Sequence, residues 1–220
     1  MITLHHLNNS RSQRVLWLLE ELDVPYEIVR YQRQSNMLAP PELRAIHPLG
    51  KSPVITDRGN TIAESGAIIE YLVGTYGEGR LIPPAGTPER LRFTYWLHYA
   101  EGSAMPPLLM KLIFGLMPKR APALMRPLVK MISDKALATM VDPQLRTHMA
   151  FWESELGKSE WFAGPEFTAA DIQMSFPLEA ASGRAGLKQG HPKAMAFLAR
   201  IHARPAYQRA LQKGGPYSMG

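Results

Sequence analysis

The residues best placed to do chemistry lie between Gly50 and Ala67, in the segment GKSPVITDRGNTIAESGA. Lys51, Ser52 and Pro53 lead into a short apolar strand; a turn and a second strand follow, and Glu64 and Ser65 stand at the mouth of a helix. An X–Pro bond adopts the cis form at modest cost, and a cis bond in a tight turn exposes neighbouring backbone N–H and C=O groups. Ser52 would offer those groups to an extended ligand, as an edge strand offers them to a peptide. Glu64 and Ser65 lie where free helix N–H groups and the positive end of the helix dipole attract a carboxylate, and Glu64 can hold an ammonium group. This order of groups suits a small, flexible, peptide-like anion. The competing reading is an ordinary hairpin running into an ordinary helix.

The elements that would position these groups follow from the patterning. Ile2 to His6 reads as a short strand, and Val15, Leu16, Leu18, Leu19 and Leu22 recur at helical spacing after the loop NNS. Asp23–Val24–Pro25 stops that helix, and Tyr26 to Tyr31 is rich in strand formers. A strand–helix–strand unit implies a right-handed crossover and parallel pairing. Residues 40–46 form a second short helix; Val54 to Thr56 and Thr61 to Ala63 flank the hairpin signal Asp57–Arg58–Gly59–Asn60. Ser65 to Tyr76 places Ile68, Ile69, Leu72 and Val73 on one helical face.

The texture changes at YGEGRLIPPAGTP, whose three glycines and three prolines in thirteen residues are a linker composition. The expected division is residues 1–78, a linker at 79–87, and an all-helical 88–220. Beyond the linker helices are expected at 89–102, with a kink or restart at Ser103–Pro107, then near 120–138, 142–157, 169–184, 192–203 and 205–213. Phe167–Thr168–Ala169–Ala170–Asp171–Ile172 reads as a capping box with a hydrophobic staple, a folding device.

Composition narrows the field. The chain has 220 residues, 45% of them hydrophobic and none of them cysteine, which removes disulfides, thiolate metal sites and protein-thiol catalysis. No signal peptide is read in MITLHHL, and Met105 to Met117 is too short and too interrupted for a membrane span. Net charge is −2 over residues 1–79 and +8 over 80–220, much of the excess in Lys111, Lys119, Arg120, Arg126, Lys130 and Lys135. Such a region can meet an anionic membrane or nucleic acid, but a solvated helix face beside a pocket is the plainer reading. The apolar residues from Met105 to Met117 are expected mostly in the core, with one or two touching substrate. The seven histidines show no HExxH spacing, and neither GxGxxG nor GxxxxGK[ST] occurs; no metal or nucleotide is expected.

An α/β half with an X–Pro turn, a linker and an all-helical half resemble the cytosolic glutathione transferases. NNSRSQRVLWLLEEL is similar to the family's first loop and helix, HPLGKSPVI to the segment before its cis-proline, AESGAIIEYL to its γ-glutamyl-binding helix, and the Thr168–Asp171 box to the cap of its sixth helix. The resemblance covers essentially the whole chain and is to the serine-type, bacterial-like members. It implies a thioredoxin-like N-terminal unit, a helical-bundle C-terminal unit holding the hydrophobic substrate, glutathione as co-substrate, no metal, a cytoplasmic location and a homodimer with the first half of one copy against the second half of its mate.

By the same resemblance, Ser52 beside Pro53 would pair with the cysteinyl part of glutathione, Lys51 would meet its glycine carboxylate, and Glu64 and Ser65 its γ-glutamyl end. Ser10 would face the sulfur as the catalytic residue, with Asn9 the alternative among Asn8, Asn9, Ser10 and Ser12. A hydroxyl donating to sulfur near a helix N-terminus and Arg11 or Arg14 stabilises a thiolate. Arg14, on a leucine-rich helix, also reads as a buried partner to a carboxylate. The implied reaction is attack of the thiolate on a small hydrophobic electrophile, by conjugation or in peroxide reduction. The alternative is a non-catalytic carrier of glutathione or hydrophobic anions on the same scaffold.

Overall fold

A computed structural model describes residues 1–34, 36, 38–215 and 217. The first half is a four-stranded sheet in the order β2-β1-β3-β4, built from β1 (Ile2–Leu7), β2 (Tyr26–Tyr31), β3 (Val54–Asp57) and β4 (Asn60–Ala63). β1 and β2 run parallel, from Ile2 opposite Tyr26 to Leu7 opposite Tyr31, joined by α1 (Ser12–Leu22) as the strand–helix–strand pattern predicts. β3 returns antiparallel to β1 and pairs with β4 across a two-residue turn. Arg58 and Gly59 both sit at positive φ (50° and 79°), the conformation of a type I′ turn, whose twist matches the strands it joins. Helices α2 (Pro41–Ile46) and α3 (Ser65–Tyr76) complete the unit, and Ile68, Ile69, Leu72 and Val73 are buried on one face of α3.

No strand occurs among the described residues beyond Ala63. Helix α4 (Pro88–Tyr99) passes through a π-turn at Ala100–Ala104 into α5 (Met105–Arg120); α6 (Arg126–Ala136) leads through a second π-turn at Leu137–Val141 into α7 (Asp142–Lys158). Then come α8 (Ala169–Arg184), α9 (Pro192–His202) and α10 (Pro205–Gly214). The expected break at Ser103–Pro107 is thus a π-turn inside a continuing helix. Pro106 and Pro107 follow directly on the π-turn, where the regular i to i−4 ladder is already interrupted. The helix expected at 120–138 starts only at Arg126, after a short 3₁₀ turn at Ala123–Met125.

Two helices organise the core. Every residue of α1 except Glu21 is buried, including Ser12, Gln13, Arg14 and Glu20, so its polar groups need partners from neighbouring elements. Glu20 receives Lys213 at 2.6 Å and Arg209 at 2.7 Å, and Glu21 receives Arg204 at 2.6 and 2.9 Å, which ties α10 along α1. In α8 every residue from Ala169 to Ala181 is buried. The capping box at its start is present, with Phe167 half-buried against Trp17 and Trp161 and Ile172 fully buried. Asp171 accepts from the N–H groups of Thr168 and Phe162, each at 2.8 Å, and from the Thr168 hydroxyl at 3.0 Å.

The stretch expected mostly in the core is divided. Met105 and Leu108 are buried, while Leu109, Ile113 and Met117 on α5 and Leu128, Met131 and Ile132 on α6 are exposed, with Leu124 at the tip 91% exposed. The two helices pack on each other and project past the core, so their outer faces have nothing to cover them. Of the basic residues there, Lys111 reaches Asp142 at 2.6 Å and Lys130 pairs with Asp134.

Asp171→Ala should leave two buried N–H groups without acceptors, at about 1–3 kcal/mol each, a loss of about 2–6 kcal/mol in urea unfolding. Thr168→Ala should cost about 1 kcal/mol. Equal effects of the two substitutions would show that Asp171 holds nothing beyond the cap.

Candidate active site

Ser52 and Pro53 are joined by a cis peptide bond at the head of β3. Between this turn and the start of α3 lies a cleft of about 270 Å³, lined by Arg11, His47, Leu49, Lys51, Ser52, Pro53, Ala63, Glu64, Ser65 and Glu101. Lys51, Ser52 and Pro53 before the β3–β4 hairpin and Glu64 and Ser65 after it therefore meet in one place. A larger groove of about 470 Å³ runs between residues 79–84 and 163–168 and contains none of the expected site residues. Arg80 in its wall is already bonded to the carbonyls of Leu22 and Gly77. The smaller cleft, with its helix N-terminus and converging polar groups, is the chemically equipped one.

Each group in it has a physical reason for its position. Glu64 precedes α3 at φ 69°, a conformation costly for a side-chain-bearing residue and held here by the strand–helix corner. Ser65 Oγ accepts from Arg14 Nη2 and from Gln173 Nε2, both at 3.3 Å, so its own proton remains to donate to an anion at the N-terminus of α3. Lys51 and Glu64 are exposed, and Ser52 is half-buried.

Ser10, the expected sulfur partner, is 5% exposed and does not itself line the cleft. Its hydroxyl lies 3.2 Å from Ser52 Oγ and accepts the N–H of Ser12, in the first turn of α1, at 3.2 Å. An accepted N–H polarises the O–H and makes it a better donor. Asn9 is exposed in the left-handed region (φ 47°), its carbonyl accepting from Arg33 at 3.3 Å.

Neither nearby guanidinium is held out towards a sulfur. Arg11 donates to Glu101 at 3.0 Å, Arg14 also pairs with Glu101, and both stack over Phe176 at 5.2 and 4.9 Å. Burial pushes the Glu101 carboxyl up, but the charges of Arg14 and Arg11 outweigh it and hold the group below the usual carboxylate range. Arg14 is 2% exposed, as expected for a buried partner to a carboxylate, and burial lowers its own pKa. Its second donor, Nη1, reaches the carbonyl of Gln173 at 2.7 Å. That carbonyl is free because Pro177, four residues on in α8, has no N–H to give it.

Glu101, His47 and Gln173 were not legible as site residues in the sequence. Glu101 is 87 residues from Arg14 and is turned inward at the π-turn after α4. Pro177 inside a helical pattern was the one available signal, since it implies a free carbonyl at Gln173 needing a donor from elsewhere.

Residues 1–74 match the family model of the glutathione S-transferase N-terminal domain, and residues 116–205 that of the C-terminal domain. Glutathione S-transferase 3 of Schizosaccharomyces pombe is 36% identical over 97% of this chain and 88% of its own. Glutathione S-transferase 1 of Saccharomyces cerevisiae is 32% identical over 97% and 95%. A glutathione S-transferase of Actinobacillus pleuropneumoniae superposes with a TM-score of 0.79 at 31% identity, covering 100% of this chain and 94% of that one. The chain belongs to the glutathione S-transferase family.

Glu101→Ala should strand Arg14 and cost about 3 kcal/mol in unfolding free energy, the low end for breaking a buried pair. Because the folded-state pKa of Glu101 is depressed, its pairing is fully present above the unfolded value near 4.5 and is lost as pH falls below it. The stability gap between wild type and variant should therefore narrow on acidification. A gap independent of pH from 7 to 3.5 would exclude the charge pair as its cause.

Proposed function

We infer that the protein is a glutathione transferase that ionises the glutathione thiol beside Ser10 and directs the thiolate at a small hydrophobic electrophile. Attack gives a conjugate, or, on a peroxide, its reduction. The observation that carries this reading is the single cleft joining Lys51, Ser52 and Pro53 to Glu64 and Ser65, with the Ser10 hydroxyl 3.2 Å from Ser52 Oγ.

In this reading the backbone of Ser52 pairs with the cysteinyl unit of glutathione. Lys51 meets the glycine carboxylate. The Ser65 hydroxyl and the first N–H groups of α3 hold the γ-glutamyl carboxylate while Glu64 takes its ammonium. The cysteinyl sulfur then falls beside Ser10. Asn9, exposed next to it, lies at the rim. A free thiol near pKa 8.5 is mostly protonated at neutral pH, and lowering it by about 2 units requires about 2.7 kcal/mol. A charge-assisted hydrogen bond from Ser10, polarised by the first turn of α1, supplies most of that. Residues 1–78 are the glutathione-binding unit, 79–87 the linker, and 88–220 the unit that holds the electrophile against the π-turn and the start of α5. Homodimerisation and action in the cytoplasm belong to the same proposal, supported by membership of the family and by a chain without cysteine.

Ser10→Ala should keep the glutathione Kd within about threefold while lowering kcat/KM about 10- to 100-fold, the loss of one charge-assisted hydrogen bond made to the thiolate. The ultraviolet thiolate band of bound glutathione should retreat to higher pH in that variant. Ser65→Ala should instead weaken glutathione binding about tenfold, by removing one hydrogen bond to a carboxylate. Unchanged turnover in Ser10→Ala would move the sulfur's partner to Asn9.

A further inference from the structure

Behind Ser10 the hydroxyl chain continues inward to a histidine. Ser10 Oγ lies 2.8 Å from Ser12 Oγ, and Ser12 Oγ lies 2.9 Å from Nδ1 of His6. His6 Nε2 lies 3.1 Å from the carbonyl of Gly214 at the end of α10. All three side chains are buried, and no part of the glutathione cleft as described needs Ser12 or His6.

Counting protons fixes the direction of this chain. A carbonyl only accepts, so the Gly214 contact places a hydrogen on His6 Nε2. In neutral His6 the other nitrogen, Nδ1, is then a bare acceptor and takes the single hydroxyl proton of Ser12. With its proton committed, the oxygen of Ser12 accepts that of Ser10. Ser52, whose own proton goes to the His5 carbonyl at 3.4 Å, is a second acceptor for the Ser10 proton at 3.2 Å, and the Leu7 carbonyl one for Ser12 at 3.3 Å; the shorter contacts, 2.8 Å to Ser12 and 2.9 Å to His6, take the protons inward in preference. In the resting protein the Ser10 proton therefore points inward, and the Ser10 oxygen presents a lone pair to whatever enters beside it. That is the polarity needed to receive a proton, and the reverse of that needed to stabilise a thiolate.

We propose that His6 is the acceptor of the glutathione thiol proton, reached through a relay of the Ser10 and Ser12 hydroxyls. The proposal rests on the reading of Ser10 as the sulfur's partner. The S–H bond breaks as its proton passes to the Ser10 oxygen; the proton of Ser10 passes to Ser12, and that of Ser12 to His6 Nδ1. No electrons change hands beyond these bonds: a thiol and an imidazole become a thiolate and an imidazolium. The same shift reverses both hydroxyls, so Ser10 ends by donating to the sulfur and Ser12 to Ser10. Accepting the proton and stabilising the anion thus become one event.

The surroundings of His6 suit an acceptor that starts neutral. Burial holds its pKa below the ordinary value; the Gly214 carbonyl opposes this, and the smaller effect of the Arg30 charge on β2 adds to the lowering. Lys213, beside Gly214, has its ammonium bound to Glu20, and Ser12 is the group facing His6 from α1. The Gly214 carbonyl reaches His6 only because α10 approaches α1 closely. A Cβ at Gly214 would fall 2.4 Å from Gln13 Oε1 and 3.0 Å from Leu16 Cδ2, so a larger residue there would have to displace the Gln13 side chain. His6 and Ser12 are positioning and relay groups; neither touches the sulfur.

The test pairs the ultraviolet thiolate band with a count of protons released to a pH indicator when glutathione binds to the full-length protein. In the wild type, thiolate should form with much less than one proton released, because the proton stays on His6. Ser12→Ala and His6→Asn should each keep glutathione affinity within about threefold, move the thiolate midpoint up by about one unit and lower kcat/KM about 10- to 100-fold, the lower range for losing general acid–base assistance. Each thiolate formed in these variants should release one proton. Ser12→Thr, which keeps the hydroxyl, should restore the wild-type midpoint and proton count. A midpoint and proton count unchanged in both Ser12→Ala and His6→Asn, with Ser10→Ala still impaired, would overturn the relay and leave Ser10 standing. An unchanged midpoint in Ser10→Ala would overturn the Ser10 assignment and the relay with it.

Discussion

The arrangement of the molecule depends on one buried guanidinium. Arg14 lies on a helix that is buried on nearly every side, and a charge so placed is tolerated only with partners: both terminal nitrogens, Nη1 and Nη2, are bonded, while Nε has no hydrogen-bond partner among the described residues. Its partners come from three separate places: Glu101 at the π-turn after α4, the Gln173 carbonyl freed by Pro177 in α8, and the hydroxyl of Ser65 opening α3. An ion pair of this kind contributes little net stability compared with apolar packing of the same volume. What it does fix is geometry. The two halves satisfy Arg14 together only in one relative placement, and that placement puts Ser65, whose oxygen is held by Arg14 and Gln173, at the wall of the cleft.

The same pairing decides which force acts on the sulfur. With Arg11 and Arg14 both engaged by Glu101, one of their two positive charges is offset locally and both guanidinium groups are directed at the carboxylate, so their long-range attraction to a thiolate is reduced. Direct contact with the sulfur then falls to short-range terms: a hydroxyl donor and the N–H groups of the first turn of α1. Such terms depend steeply on distance and direction, which explains why Ser10 is buried and held by contacts to Ser12 and Ser52. A guanidinium could act from several ångströms away; a hydroxyl has to be in place.

Much of this was legible in the sequence wherever the cause was local. The strand–helix–strand order, the Arg58–Gly59 turn, the Ser52–Pro53 step, the Thr168–Asp171 box and the face of α3 are set largely by local residues, and each appears in the structure as read. What escaped was set by partners far apart in the chain. Glu101 is 87 residues from the arginine it neutralises, and Gly214 is 208 residues from His6. The apolar residues of α5 depart from expectation for a related reason. Leu109, Ile113 and Met117 have the composition of a core, but composition does not reveal that their side of the helix is exposed. Metal-ligand spacing among histidines is a pattern in sequence, whereas the contacts of His6 are made through space.

The start of α1 joins these observations. Ser10 and Ser12 carry the hydroxyl chain and Arg14 the link between the halves, alternating over one turn of chain with Arg11 and Gln13 between them. Alternate residues around a helix start point in different directions, so one short segment can face the cleft, the His6 pocket and α8 at once. The consequence is a shared sensitivity: movement of α1 by a fraction of an ångström strains the Arg14 bonds and misaligns the hydroxyls together. Chemistry at the sulfur is therefore confined to conformations in which the two halves are correctly docked. The docking that Arg14 enforces is the condition under which a buried serine can serve a ligand at all.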